Sequence, residues 1–115
     1  MADSSIEDLN VVLVKGTIAA PPEHRRLESG SHLLRYLVTT RSTVPRRRVD
    51  VLPVVLWNPD TTLIADPGSI GTPLWVVGSA HRRYPADADG RRSEIELVAH
   101  HVQFDVEPSS QAVPD

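Results

Sequence analysis

Cysteine is absent from this 115-residue chain, which excludes disulfide scaffolds, thiol catalysis and Cys-ligated zinc or iron–sulfur sites. Long apolar runs are also missing: the longest, 51–57, has seven residues and contains Pro53, whereas a membrane helix needs about 20. Acidic residues in segment 1–10 precede any apolar stretch, unlike a secretory signal, which begins with basic residues. We therefore expect a cytoplasmic protein without a membrane segment.

Motifs for catalysis and metal binding are lacking as well. The sequence has no G-x-x-x-x-G-K-[ST] phosphate loop, no G-x-S-x-G nucleophile motif and no H-E-x-x-H zinc motif. His100 and His101 are neighbours, so on a regular strand their side chains would point to opposite faces. The other three histidines have no acidic partner at ligand spacing. These absences predict a non-enzymatic protein with no metal and no cofactor.

Lysine and aromatic residues are scarce, and arginine carries the positive charge. The net charge is −3, but six of the 15 acidic residues lie in the end segments, so the body from 11 to 104 has 12 cations against nine carboxylates. Eleven of these cations are Arg, whose planar guanidinium pairs with phosphate and stacks on bases. This distribution favours a polyanionic partner, although a solvated surface rich in Arg would produce the same pattern.

Five strands are predicted by runs of β-branched and alternating residues separated by turn-forming residues. The predicted strands span 11–18, 31–41, 50–58, 72–80 and 93–104. We expect a loop at 19–30 and a bulge or bend at Gly16. Pro53 cannot donate a ladder hydrogen bond, so its strand should have an unpaired edge there. The alternation changes face between Leu97 and Val98, which suggests a bulge or a strand that passes from one packing environment to another.

One short helix is predicted between the third and fourth strands, within 59–69. Asp60 or Thr61 can cap its start, and Pro67 followed by Gly68 ends it. Five strands with one helix between strands 3 and 4 are the element order of an all-β, five-stranded OB-fold barrel.

This fold divides the chain into three parts. We expect an acidic N-terminal segment at 1–9, an OB-fold domain at 10–105 and a flexible tail at 106–115. The segments 11–14 and 54–56 carry apolar residues on both strand faces, more than one small core can bury. The predicted consequence is a symmetric homo-oligomer, either a dimer or a tetramer.

The order of these segments resembles that of bacterial single-stranded DNA-binding proteins (the SSB family). Six runs similar to family motifs follow in the family's order: Asn10–Ile18, Glu28–Gly30, Tyr36–Arg41, Pro53–Trp57, Pro67–Ser69 with Leu74–Gly78, and Val102–Phe104. The resemblance covers about 10–105. It implies a non-catalytic protein that binds single-stranded DNA in replication, repair or recombination. Primosomal replication protein N is a second, similar match.

The chain departs from the family pattern at several positions. Val51 stands where the family often has an aromatic residue, and the loop 42–49 has none. The family's acidic, Phe-ending C-terminal tip is also absent, so replication or repair proteins would not be recruited through such a tip. The alternative function is an OB-fold protein-interaction module, a primosome-like accessory protein with weak or lost DNA binding. Its Arg clusters would then bind acidic partners.

Ten residues form the predicted nucleic-acid interface. Proteins bind single strands by aromatic stacking and a basic groove, and the resemblance puts stacking aromatics at Trp57 and Tyr84. Arg35 would point into the groove, and Arg clusters of two loops would follow the phosphates. The structural alternatives are a Trp at the barrel rim and solvated Arg side chains. The full set is Arg35, Arg46, Arg47, Arg48, Trp57, Arg82, Arg83, Tyr84, Arg91 and Arg92.

The remaining aromatic residues are predicted to lie in the core. Tyr36, Trp75 and Phe104 occupy apolar-facing positions of their strands, where such large side chains are usually buried. Few aromatics are then left for stacking, so binding would depend mainly on contacts between Arg and phosphate. Such contacts carry no base information, which predicts little dependence on base sequence.

Overall fold

The computed structural model describes residues 7–84 and 93–105. Its elements within these ranges follow one another along the chain as β1 (Val12–Ile18), β2 (Glu23–Arg26), β3 (His32–Ser42), β4 (Arg48–Trp57), α1 (Thr61–Ala65), β5 (Pro73–Arg83) and β6 (Glu94–Phe104). No helix in this part of the chain is long and apolar enough to cross a membrane.

Five of these strands close into a barrel. β1 pairs with β5, β5 with β6, β6 with β4, β4 with β3, and β3 again with β1. The β4–β6 pair is parallel and the other four pairs are antiparallel. Closure leaves few exposed strand edges. With α1 between the third and fourth barrel strands, this is the predicted OB-fold.

The barrel interior holds alternate residues of each strand. Leu34, Tyr36 and Val38 of β3 are at most 2% exposed, as period-2 alternation requires of an inward face. The predicted burial of Tyr36 is therefore confirmed, and Phe104 at the end of β6 is partly buried and packs against this core. The rest of the buried core cluster consists of Ile18, Val54, Leu56, Leu74, Val76, Leu97 and Ala99.

Trp75, in contrast, lies on the outer surface, so its predicted place in the core is wrong. Leu74 and Val76 are both buried, and the residue between them must point outward. Trp75 is 37% exposed, and the Lys15 ammonium lies 5.4 Å from its ring centroid. The apolar run around Trp75 concealed this, because the flanking residues on both faces are apolar.

The short helix starts and ends where the sequence predicts. The Asp60 carboxylate caps it, since Oδ1 accepts hydrogen bonds from the Thr62 hydroxyl at 2.7 Å and the Leu63 amide at 3.0 Å. These two bonds, the Thr62 one first, lower the pKa of Asp60. The helix ends at Ala65, two residues before Pro67. None of its five residues is fully buried, although Leu63 packs against the core as a partly buried side chain.

The structure corrects two predicted boundaries. The segment 19–30, predicted to be a loop, contains β2, which pairs with β3. Its four residues are polar and exposed, so no apolar alternation announced a strand. The fourth predicted strand ends at residue 80, whereas β5 continues to Arg83 and pairs there with Glu94.

The bulge in β6 also lies elsewhere than predicted. The pairing changes from Val77 with His101 to Gly78 with Ala99, which leaves His100 as the extra residue. The expected bulge between Leu97 and Val98 is therefore wrong. Both His100 and His101 are exposed, so regular alternation does not apply to them.

The open edge predicted at Pro53 is confirmed, whereas the β1–β5 register runs without a shift through Gly16, where a bulge or bend was expected. β4 meets β6 only from Val54 onward, so within the described ranges its first half pairs with β3 alone and the edge near Pro53 is open. Gly16 pairs with Leu74 of β5, directly before the two residues of β1 that also pair with β3. A Cβ atom at Gly16 would collide with the carbonyl oxygen of Thr39 and approach Val38 Cγ1 to 2.8 Å, so only glycine fits.

Candidate nucleic-acid interface

The hairpin of β3 and β4 has one face toward the barrel core and one toward solvent. On the outer face, Leu33, Arg35 and Leu37 of β3 stand opposite Trp57, Val55 and Pro53 of β4. Val55 is only 5% exposed, yet it is not part of the core cluster. Its outer-face neighbours therefore cover it, which makes this face a surface with its own small apolar floor.

An open depression of about 110 Å³ lies on this face at the end of β4, and we name it the Trp57 groove. It brings together three of the predicted site residues from three different strands, because the barrel aligns β3, β4 and the end of β5. The lining residues are Leu33, Arg35, Val55, Trp57, Arg83 and Glu96.

Trp57 is held in position by the residue that follows it. Asn58 has a φ of 52°, in the left-handed region that Asn tolerates better than most residues. The backbone N–H of Asn58 donates to the His32 carbonyl at 2.7 Å, and the side-chain Oδ1 of Asn58 accepts from the backbone N–H of His32 at 2.9 Å. These two hydrogen bonds join the end of β4 to the start of β3. The Trp57 side chain is left 47% exposed at the groove.

Arg83 at the end of β5 and Glu96 of β6 form the other side of the groove. Arg83 is near two carboxylates, with Nη1 3.9 Å from Glu94 Oε1 and Nε 4.0 Å from Glu96 Oε2. Such long, partly solvated pairs are weak, so a phosphate can compete for this guanidinium. Arg82 donates to the Ser93 hydroxyl at 2.7 Å. Tyr84 follows directly and is 62% exposed.

The basic residues of the hairpin turn, Arg46, Arg47 and Arg48, are exposed but distant from the groove, and we name them the hairpin tip. Arg48 and Trp57 are nine positions apart along β4, about 30 Å at ~3.3 Å per residue. Arg48 Nε donates to Asp50 Oδ2 at 2.9 Å, and this bond raises the pKa of Arg48. The structure thus places the tip at the opposite end of the same hairpin.

Two predicted site residues, Arg91 and Arg92, lie outside the described residues. The same holds for most of the predicted last hairpin, for most of the N-terminal segment 1–9, and for the whole tail 106–115.

Sequence reasoning missed the acidic side of the groove. Glu94 and Glu96 follow period-2 spacing on β6 and share a face there. That alternation was visible, but the pairing of β6 with β5 that brings it next to Arg83 was not.

The His24–His32 pair was also missed. The two rings stack with centroids 5.0 Å apart, and His24 Nε2 lies 2.8 Å from His32 Nδ1. No sequence signal joins them, because β2 was not predicted. Within 7–84 and 93–105, no group of three or more His, Cys, Asp or Glu residues is arranged to hold a metal ion.

The apolar surplus is distributed differently from the expectation. Segment 54–56 is buried within this chain, with Val54 and Leu56 in the core and Val55 beneath its outer-face neighbours, so it adds almost no exposed apolar surface. Val11 and Leu13 are 63% and 61% exposed, and Leu13 pairs with Val77 beside Trp75. We name these four residues the β1–β5 face.

The family model described as the single-strand binding protein family matches residues 9–105. Among solved structures, the chain is similar to the one titled "Plasmodium falciparum SSB complex with ssDNA", with a TM-score of 0.73 and 18% sequence identity over 89% of this chain and 99% of that chain. No curated protein matches. At this identity the structural likeness shows the fold, and the resemblance to primosomal replication protein N stays a prediction.

Proposed function

The chain belongs to the single-strand binding protein family, and we propose that this single-stranded DNA-binding protein holds its strand in the Trp57 groove. The observation that carries the proposal is the convergence of Arg35, Trp57 and Arg83 on one depression. A base stacked on the half-exposed indole would have its flanking phosphates within reach of two guanidinium groups. No catalytic step is part of this function.

The rest of the predicted interface extends the path of the strand on both sides of the groove. Tyr84 offers a second exposed ring for stacking next to Arg83. Arg82, Arg91 and Arg92 would add positive charge near the last hairpin. The hairpin tip would hold phosphates at the far end of β3 and β4. Such a protein would protect or present single strands in replication, repair or recombination in the cytoplasm.

The β1–β5 face is the surface through which we propose that the chain forms a homo-oligomer. Three exposed apolar side chains, Val11, Leu13 and Trp75, lie with the half-buried Val77 on and beside two paired strands, and apolar patches of this kind usually mark interfaces. The patch lies outside the Trp57 groove, so assembly and DNA binding use different residues. A symmetric dimer, or a tetramer built from dimers, would bury it.

A protein-interaction module remains the second candidate function, and the carboxylates beside the arginines favour it. Glu94 and Glu96 lie near Arg83, and Asp50 bonds Arg48. Each pair lowers the positive potential that a phosphate would meet. Val51 is 52% exposed on the outer face, where an aromatic residue would have added a stacking surface.

The test is the affinity for labelled oligo-dT, measured by fluorescence anisotropy at low salt. We expect Trp57→Ala to weaken binding by about 5- to 150-fold, which corresponds to the ~1–3 kcal/mol of one stacked base. The matched control is Trp75→Phe, which changes the other exposed Trp outside the groove and should leave affinity unchanged.

Two results would contradict the proposal in different ways. Full affinity in a folded Trp57→Ala protein would remove the groove from the binding site. If the unmodified protein binds no oligo-dT even at low salt, the interaction-module function replaces the proposed one.

A further inference from the structure

A second cavity adjoins the Trp57 groove and shares Arg35 with it. Its volume is about 280 Å³, against about 110 Å³ for the groove. Its apolar lining comes mainly from the β1–β2 connection and the outer face of the hairpin, as Ala20, Pro21, Leu37 and Pro53. Glu23 and Arg35 are its two charged residues, and we name the cavity the Glu23–Arg35 pocket.

The two charged residues are placed side by side by the register of β2 and β3. Glu23 is the direct partner of Arg35 in this antiparallel pair, so their Cβ atoms lie about 5 Å apart on the same face. Neither residue takes part in the ion pairs formed within the described ranges. The pocket therefore presents an anionic acceptor and a cationic donor next to each other above apolar walls.

This pairing of charges matches one nucleobase better than the other three. A carboxylate can accept two parallel N–H bonds, and a guanidinium can donate two. Guanine carries the N2 amino group and N1–H beside O6 and N7 along one continuous edge, so it can use all four bonds at once. Adenine, cytosine and thymine have no two neighbouring ring-edge donors for the carboxylate.

The size and position of the pocket also fit a single base of a bound strand. Pockets for drug-sized ligands have volumes of ~300–1,000 Å³, so 280 Å³ suits one base and not a longer segment. Pro53 lies four residues from Trp57 on β4, about 13 Å at ~3.3 Å per residue. A few nucleotides therefore span the pocket and the groove.

We propose that the Glu23–Arg35 pocket is a guanine-selective subsite beside the Trp57 groove. Glu23 accepts from guanine N1–H and N2, Arg35 donates to O6 and N7, and Pro21, Leu37 and Pro53 contact the ring. This inference rests on the proposed DNA-binding function and adds a base preference to it. It replaces the expectation of base-independent binding, because Glu23 and Arg35 both read edges of the base.

The experiment compares a 12-nucleotide oligo-dT with the same oligomer carrying one central dG, dA, dC or deoxyinosine. We expect the dG oligomer to bind at least about fivefold more tightly than oligo-dT, the lower limit for one bidentate base contact. Deoxyinosine lacks the N2 amino group and should lose most of this gain. This arm uses the unmodified protein, so it does not depend on the folding of any variant.

The variant Glu23→Gln removes the carboxylate, and Glu28→Gln is its matched control outside the pocket lining. Both variants remove one negative charge, Glu23→Gln from β2 and Glu28→Gln from the turn that follows it, so both should strengthen binding to oligo-dT by a similar factor. Only Glu23→Gln should abolish the preference for the dG oligomer, so that its affinity equals that for oligo-dT.

The outcomes separate this inference from the function on which it rests. Binding of oligo-dT with a dG to dT ratio within twofold, or an unchanged ratio in Glu23→Gln, overturns the subsite and leaves DNA binding in place. A preference for dC or dA over dG also overturns it. Absence of binding to every oligomer overturns the proposed function and the subsite together.

Discussion

Tyr36 connects the barrel core to the chain that leaves the helix. It is the largest fully buried side chain, and its hydroxyl donates to the Pro67 carbonyl at 2.8 Å. Burial of the phenol, with a smaller contribution from the nearby Asp66 carboxylate, raises the pKa of Tyr36 to about 12. A single residue of β3 thus supplies apolar volume to the core and a polar anchor to the 66–72 connection.

Tyr36→Phe should lower the free energy of unfolding by about 0.5–1.5 kcal/mol, because the Pro67 carbonyl loses its partner. The raised pKa in the folded state predicts a pH effect as well. The contribution is fully present below the unfolded pKa of ~10, and it is lost as the pH rises toward 12. Urea unfolding at pH 8 and pH 11.5 measures both effects. If Tyr36→Phe loses as much unfolding free energy between pH 8 and pH 11.5 as the unmodified protein does, Tyr36 is not the source of the pH effect.

At the scale of single elements, the β5–β6 pair is interrupted by one bulge and depends on a glycine there. Gly78 faces the backbone of β6 where the register shifts past His100. A Cβ atom at Gly78 would collide with the Val98 carbonyl oxygen and come within 2.9 Å of Ala99 Cα. The bulge lets the long strand β6 pair with β5 at both ends and still meet β4 at Val54 and Val55.

Gly78→Ala should therefore destabilise the fold by about 1–3 kcal/mol or more, since backbone atoms of β6 cannot rotate away as a side chain does. Thermal unfolding followed by circular dichroism measures the loss. Gly30→Ala serves as the control, because nothing lies within 4 Å of a Cβ atom there. Its cost comes only from the left-handed backbone, about 1–2 kcal/mol. A smaller loss for Gly78→Ala than for Gly30→Ala would contradict the close approach.

The hairpin tip is an element whose effect should be electrostatic and independent of base identity. Replacing Arg46, Arg47 and Arg48 by Ala removes up to three phosphate contacts, which should flatten the slope of log K against log salt by about 2, at ~0.7 per phosphate. The ratio between oligomers of different sequence should not change. Binding titrations at four or more salt concentrations provide the slope. If the triple variant and the unmodified protein have the same slope of log K against log salt, the tip does not contact the strand.

At the scale of the whole molecule, two outer surfaces of the barrel have different chemistry. The outer face of β3 and β4 combines arginines with Trp57 and two cavities. The β1–β5 face is mainly apolar, and its Trp75 is contacted by Lys15, which also pairs with Asp105 at 3.2 Å. A closed barrel separates such surfaces because its strands face outward in different directions.

Leu13→Asp should shift the protein toward smaller species, because a charge in a buried apolar interface is not compensated. Light scattering coupled to size-exclusion chromatography, at tens of micromolar protein, measures the mass. Ile70→Asp is the control, since Ile70 is 62% exposed and lies outside the β1–β5 face. If the unmodified protein is already monomeric, the predicted oligomer is wrong.

Much of the fold follows from local sequence patterns. The five barrel strands, the Asp60 cap, the open edge at Pro53 and the burial of Tyr36 depend on alternation, capping and proline chemistry, all of which act over a few neighbouring residues. The strand β2 did not follow from the sequence because its residues are all polar. Only its pairing with β3 makes it a strand.

For the candidate site, the sequence by itself identified residue types, and the tertiary structure decided which of them meet. Trp57 and Arg35 were visible as candidates, but β4–β3 pairing and barrel closure placed them beside Arg83, and strand registers put Glu23 next to Arg35. Trp75 lies on the outer surface, whereas Val54 and Leu56 lie in the core, because a strand that is apolar on both faces has no preferred side in sequence. Its orientation is determined only when neighbouring strands cover one face, since burial is a property of the assembled sheet.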